Sequence, residues 1–349
     1  MLKRFMLFAV MILSIGILAA CGSNNDDASN SNGNGGGKEI DELKIGFVPS
    51  KDPDEIITAT EPLKDLLKEE LEKEGITVNN VDISVGTTYE AVGEALSAGT
   101  TDVGLVPGGT FVLYDDGAEV ILTSTRAGLN NDSEDAKDWN DNKPTEGTDE
   151  QATYYRSLFI AGPSEKGQEL AEKVNKGEEL TWEDLNSANW SVMGSSSSAG
   201  YIYPVLWLLE NYDKSITDLD SVVQSDSYGS SFARLAAEQT DVLVAFADAR
   251  RDYAEDWESK FDGKNDIWED TNVIGVTDGI YNDTISVSKN SDIMDDELKA
   301  ALQKAFINIA ETEEGKEVIS IYSHEGYQEA TSEDYETERE AQQLIRDMK

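Results

Sequence analysis

The sequence contains one cysteine, Cys21, and one histidine, His324. A single cysteine excludes an intramolecular disulfide and a structural thiolate metal site. The lone histidine is remote from Cys21, in a helical tail segment where a surface position is expected. No Ser-His or Cys-His nucleophile pair can therefore be assembled. The chain also lacks a G-x-S-x-G elbow and a G-x-x-x-x-G-K-[ST] phosphate loop. Carboxylates are numerous, but none is singled out as a pair, so no catalytic residue, metal or cofactor is expected. Basic residues are scarce: 28 Lys and Arg stand against 70 Asp and Glu, for a formal net charge of −42. That balance argues against nucleic acid and other polyanionic partners. The acids are spread along the whole chain, as on the solvated exterior of a protein that works at high salt.

Long apolar runs are missing except at the start. Lys3 and Arg4 precede an uncharged, almost wholly apolar run from Phe5 to Ala20, which reads as an export signal over residues 1–20. It is short for a permanent span. "LAAC", Leu18 to Cys21, resembles the lipobox of bacterial lipoproteins, which implies cleavage before Cys21 and a lipid on its sulfur. Residues 21–42 are rich in Gly, Asn and Ser and read as a flexible tether. The protein is thus expected outside the cytoplasm, lipid-anchored at the outer face of the cytoplasmic membrane.

From Leu43 onward strand-like and helix-like segments alternate. "LKIGFV", "NVDISVG", "DVGLVPGG" and "EVILTSTR" read as strands, and "EIITATEPLKDLLKEELEKEG" and "TYEAVGEALSAG" as helices. A comparable block follows from "YYRSLFIAG" to "ARRDYAEDW", and the chain closes in long helical segments. The fold class is α/β: two lobes, each with a central, mostly parallel sheet flanked by helices, and a ligand cleft between them. Lobe 1 is expected over 43–154 plus 285–349, and lobe 2 over 155–284. Residues 128–153 are acidic and almost free of aliphatic side chains. An exposed insertion or a lid is expected there, and a helix is not.

Three strand-to-helix junctions are small and polar: "PSKDPDEI", "GTTYEAV" and "GSSSSAGYIYP". Helix starts gather unpaired N–H groups at the positive end of the helix dipole and receive anions readily. One serine is enough to cap a helix. Ser195, Ser196, Ser197 and Ser198 therefore include a surplus that an oxyanion site would use.

The ordered set "VPSKDPDEI", "YEAVGEALSAGTTDVGLVPGGTFVL", "YRSLFIA", "WEDLNSANWSVMGSSSSAGYIYPVLWLLE" and "SDSYGSSFARLAAEQTDVLVAF" covers roughly residues 43–320. It resembles the phosphonate, phosphite and phosphate substrate-binding proteins of ABC importers, the phosphonate-binding branch of the type II periplasmic-binding-protein fold. The resemblance implies that Ser195, Ser196, Ser197 and Ser198 hydrogen-bond phosphoryl oxygens. Tyr89 would add a ring wall and a phenol donor, unless it is a half-buried packing residue. Ser50 and Lys51 would face the same cleft. Tyr228 stands where the family commonly has a ligand-facing histidine. Asp248 stands where the family has an acid that pairs with a ligand ammonium or a protonated oxyanion; it could equally cap the helix beginning "ARRDY". Of Arg250 and Arg251, adjacent on a helix, at most one can face the cleft. Arg126 and Arg156 flank strand ends.

These readings together imply a non-enzymatic receptor that closes around a small phosphorus oxyanion and delivers it to the transmembrane subunits of an ABC permease. The alternatives are a binder of another small anion or polar solute, or a lipoprotein enzyme acting on phosphorylated substrates.

Overall fold

Burial alternates along the first strand, β1 (Lys38–Phe47): Ile40, Leu43, Ile45 and Phe47 point inward while Glu39, Asp41 and Lys44 face solvent. The computed structural model describes residues 37–347, all within one compact unit. The export signal, Cys21 and most of the tether lie outside the described residues. The last tether residues, however, belong to β1, because Ile40 is buried and Lys38 to Ile40 pair in register with Ile76 to Val78.

β1 is followed by β2 (Ile76–Val85), β3 (Val103–Val106), β4 (Ala118–Leu129), β5 (Gly147–Ala152) and β6 (Tyr154–Ala161). Then come β7 (Trp190–Val192), β8 (Val222–Gln224), β9 (Val242–Phe246), β10 (Asn272–Tyr281), β11 (Thr284–Ser288) and β12 (Gly326–Glu329). The first sheet has the order β12-β4-β11-β3-β1-β2, with β5 paired to β4; the second has the order β10-β6-β9-β7-β8. Helices flank both. The sheets are mixed rather than mostly parallel. β1 is parallel to β2 and β3, and β7 to β8 and β9, as βαβ crossovers require. The strands that carry the chain between sheets, β4, β6, β10 and β11, pair antiparallel with their neighbours.

The single helix expected after β1 is two, Pro53–Thr60 and Leu63–Lys73, divided at Pro62, whose missing N–H cannot continue the ladder. In the helix Tyr89–Ala98 the buried face is Tyr89, Val92, Gly93 and Leu96. Gly93 sets that rotation: a Cβ there would lie 2.2 Å from the Tyr114 ring.

The acidic insertion contains a helix after all, Ala136–Asp141, capped by Asp135. Two residues hold it. Trp139 is fully buried and its indole N–H donates to the Ser133 carbonyl at 2.8 Å. Asn140 accepts from the Val273 N–H and donates to the Val273 carbonyl, at 2.7 and 2.9 Å, as a strand neighbour would. The insertion therefore docks on β10. At the other end of the chain, the helix Glu336–Asp347 spans both sheets: Gln342 donates to the Gly109 carbonyl, while Ala341 and Ile345 join the core around Phe159 and Trp190.

Replacing Trp139 by Ala should cost about 3–5 kcal/mol, the range for removing a buried aromatic side chain. Denaturant unfolding measures it, and a loss under about 1 kcal/mol would mean that the insertion is a detached flap.

Candidate functional site

A cavity of about 40 Å³ lies where the two sheets meet. Val48, Ser50 and Lys51, just beyond β1, form one side with Tyr89. Ser197, Ser198, Tyr228 and Phe246 come from the elements of the second sheet. Arg126 on β4, Tyr155 on β6 and Asp283 between β10 and β11 form the floor along the crossing strands, and Tyr322 closes it.

Three helix starts converge on this space. Thr88 accepts from the Ala91 N–H at 3.1 Å, Ser197 from Gly200 at 3.2 Å and Ser227 from Ser230 at 3.2 Å. Each cap satisfies one of the orphan donors of its helix and leaves others free. The serine segment enters its helix through a wide turn of π-helical geometry, Ser198–Ile202, before Tyr203–Tyr212, with Pro204 in the first turn.

The four serines do different things. Ser197 is the cap, and its Oγ is also 3.3 Å from the Tyr228 phenol. Ser198 accepts from the Gly109 N–H at 3.0 Å, and the Ser196 carbonyl accepts from the Thr110 hydroxyl at 3.0 Å. Part of the serine surplus thus joins the segment after β3 to the second sheet. Gly109 lets the two segments approach closely: a Cβ there would lie 2.2 Å from Ile202 Cδ1 and 2.9 Å from Ser198 Oγ, so Ile202 would have to shift. A hydroxyl that accepts still has its proton to donate, so Ser198 can serve both the joint and the cavity. Ser196 Oγ is fully buried without a partner, behind the wall, and Ser195 is exposed outside it.

Of the other expected residues, Ser50, Lys51, Tyr89 and Tyr228 line the cavity. Ser50 Oγ is buried without a partner, and Lys51 Nζ lies 3.9 Å from Asp252. Burial raises the phenols of Tyr89, Tyr228 and Tyr322, so each remains a hydrogen-bond donor across the physiological range. Asp248 stands behind Arg126, facing a second, larger groove, and neither caps its helix nor lines the small cavity. Its carboxylate accepts from Arg126 Nη1 at 3.0 Å and Arg251 Nη2 at 2.9 Å. Neither Arg250 nor Arg251 lines the cavity, and Arg156 is held by Asp132.

Arg126, which the sequence placed only at a strand end, and Asp283, which the sequence did not bring forward, both line the cavity. Arg126 is buried, with its guanidinium carbon 4.1 Å from the Tyr155 ring centroid and its Nε donating to Asn282 Oδ1 at 3.0 Å. Burial works against its charge, but the neighbouring Asp248 carboxylate outweighs that and holds the guanidinium above its ordinary value. Asp283 Oδ1 is buried without a partner, and Oδ2 lies 3.7 Å from His324 Nε2. The available signal was "YNDTIS", polar residues set between two strands at a sheet crossing. His324 is buried rather than on the surface, packed between the rings of Tyr322 and Tyr327.

Two mixed sheets facing one another across a small cavity, walled largely by apolar and aromatic groups with a few polar ones among them, define a two-lobed α/β solute-binding protein. The model of the family of periplasmic substrate-binding proteins of phosphonate ABC transporters matches residues 45–335, and the chain belongs to that family. No curated protein sequence matches significantly. Among solved structures, the binding-protein component of a Pseudomonas aeruginosa ABC phosphonate transporter superposes with a TM-score of 0.64. It is 14% identical, over 88% of this chain and 87% of that one. A Prochlorococcus marinus protein in complex with methylphosphonate gives 0.62 at 14% identity, over 87% and 98% of the two chains. A Xanthomonas citri protein bound to ATP gives 0.61 at 15% identity, over 88% and 98%.

Burial lowers the pKa of His324 from its ordinary 6.5, against the pull of Asp283. Between the two values the unfolded chain binds more protons than the folded one, so stability falls as pH drops through that window. His324→Gln should remove this component. The difference in unfolding free energy between wild type and variant is expected to stay constant above about pH 6.5 and to change below it. A difference that stays flat to about pH 5 would show that the imidazole is not held neutral.

Proposed function

We propose that the cavity captures a small phosphorus oxyanion, a phosphonate, phosphite or phosphate, for delivery to an ABC permease. The observation that carries this reading is Arg126, a buried cation whose Nε and Nη1 are committed to Asn282 and Asp248 while its side chain still borders the cavity. Ser50, Ser197, Ser198, Tyr89 and Tyr228 would donate hydrogen bonds around it. Such bonds to a charged group contribute about 1.5–3 kcal/mol each, so a few of them support micromolar binding after ordering costs. The size fits as well: the space of about 40 Å³ compares with roughly 10–15 Å³ for one water and suits a tetrahedral group.

The net charge of −42 does not oppose this. At about 1 M salt the Debye length is near 3 Å, and a distributed acidic surface barely repels an arriving anion. The family acid assigned to Asp248 has a different place in this reading. Asp248 positions Arg126, and Asp283 is the carboxylate that meets a ligand ammonium or P–OH through its unpartnered Oδ1. Attachment to the outer face of the membrane would rest on lipidated Cys21, in the "LAAC" segment; among the described residues no helix is long and apolar enough to cross a membrane. Reversible capture, without turnover, is the role this assigns to the protein.

Calorimetry on the chain from residue 22 onward, in about 1 M salt, should find at least one of phosphonate, phosphite, hypophosphite or phosphate binding more tightly than about 100 μM. If none does, this ligand class is wrong. Arg126→Met should weaken binding at least about a hundredfold, the scale of an uncompensated charged hydrogen-bond network. Ser197→Ala should weaken it about tenfold, while Ser195→Ala leaves it unchanged. Equal effects of the two serine substitutions would contradict the assignment of the inner serines.

A further inference from the structure

Two carboxylates one helical turn apart reach from the second sheet toward the first, and each takes hold of residues that line the cavity. The helix Ala249–Asp252 follows β9, with Asp248 directly before it, and the Asp252 N–H donates to the Asp248 carbonyl at 3.0 Å. Residues four apart share one face of a helix. Asp248 holds Arg126 of β4. Asp252 serves the side formed by Ser50 and Lys51 and the segment that closes the cavity. Its Oδ2 accepts from the Ser323 hydroxyl and lies 3.9 Å from Lys51 Nζ. Lys51 follows β1 and Ser323 precedes β12, both strands of the first sheet. Arg126, Lys51 and Ser323 line the cavity, whereas Asp248 and Asp252 do not.

The contacts of Asp252 are sheltered ones. The Lys51 and Asp252 side chains are only 14% and 12% exposed, and Lys51 Nζ lies 5.7 Å from the Tyr253 ring centroid. A carboxylate and an aromatic face thus both bear on the ammonium. Burial pushes the Asp252 carboxyl up, and Lys51 and Ser323 work against that rise. Ser323 has a left-handed backbone, φ 57°, at the end of the short turn Ser320–Tyr322. Glycine adopts that conformation at least cost. A serine bears the backbone cost and supplies a hydroxyl, which Asp252 takes. Arg251 links the two carboxylates: its Nη2 donates to Asp248 Oδ1 at 2.9 Å, and its Nε lies 3.8 Å from Asp252 Oδ1.

We propose that Asp252 is a positioning residue: it clasps Lys51 and Ser323 to the second sheet and so holds the mouth of the cavity shut. A solute leaves when the elements of the two sheets part at the mouth, and this clasp must break first. Its strength comes from a carboxylate shared by a hydroxyl and an ammonium, the stronger kind of hydrogen-bonded contact. Contacts of this kind act on the rate of release more than on the rate of entry. The clasp is carried by contacts within the chain, while its effect on release rests on the proposed capture of a phosphorus oxyanion.

Amide hydrogen exchange on the full chain, with no solute added, tests the clasp. The Tyr228 N–H donates to the Ser50 carbonyl across the mouth, so its exchange reports opening there. Asp252→Ala and Ser323→Ala should each speed that exchange about tenfold, the scale of one hydrogen bond to a charged group. Amides in the β1–β2 pairing should keep their wild-type rates. The double variant should exchange no faster than Asp252→Ala alone, because the two residues act through one contact. Wild-type exchange at Tyr228 in Ser323→Ala overturns the clasp, and so does equal acceleration in the β1–β2 pairing, the mark of a merely structural role. Should Asp252→Ala fail to fold, Ser323→Ala decides alone. With inorganic phosphite as the probe, stopped-flow mixing should show release about tenfold faster in both variants and association within about twofold of wild type. Unchanged release overturns the control of release. Failure of phosphite to bind the wild type bears on the capture reading alone, and Tyr228 exchange still decides the clasp.

Discussion

The buried ion pair between Arg126 and Asp248 is the contact on which the site depends. Arg126 sits on β4, which belongs to the first sheet, and Asp248 follows β9, which belongs to the second. Tyr155 stacks beneath the guanidinium and Asn282 takes its Nε, so a residue from each crossing region is fixed by the same group. An isolated buried ion pair is weak evidence for stability, because desolvation consumes most of its Coulombic gain. Its value here is geometric. The pair holds a positive charge at the edge of the cavity.

Around that pair, the two sheets are tied by contacts that sit at the rims. The Ser198–Gly109 and Thr110–Ser196 bonds lock one rim, and the Tyr228 N–H donates to the Ser50 carbonyl at 3.1 Å across the mouth. The insertion is stitched to β10 by Asn140, and the last helix reaches from Gly109 to the core of the second sheet. These joints are polar, and beside them one apolar cluster runs from Val48, Tyr89 and Val106 to Leu158 and Leu243 across both sheets. Polar joints of this kind contribute modestly each and can exchange for water, as hinge closure around a ligand requires.

Much of this was legible beforehand where a local rule governed. The alternation of Ile40, Leu43 and Ile45 specifies a strand wherever it packs, and the junction before Tyr89 reads as a helix start in any context. The insertion was misjudged because its composition is solvated: Trp139 and Asn140 make it a docked helix, and only their partners at Ser133 and Val273 disclose that. His324 was read as a surface residue for a similar reason. Nothing near it in sequence announces that Tyr322, Tyr327 and Asp283 enclose it.

By itself the sequence determined the α/β class, the strand-to-helix junctions, the serine-rich helix start and the family, because periodicity, caps and ordered motifs are short-range properties of the chain. The tertiary structure decided which polar groups meet. It divided the four serines among a cap, a joint, a buried hydroxyl and an exposed surface, moved Asp248 behind Arg126, and brought Arg126 and Asp283 to the cavity. Those outcomes depend on where antiparallel strands cross between two sheets, and pairing between residues more than a hundred positions apart leaves no local trace.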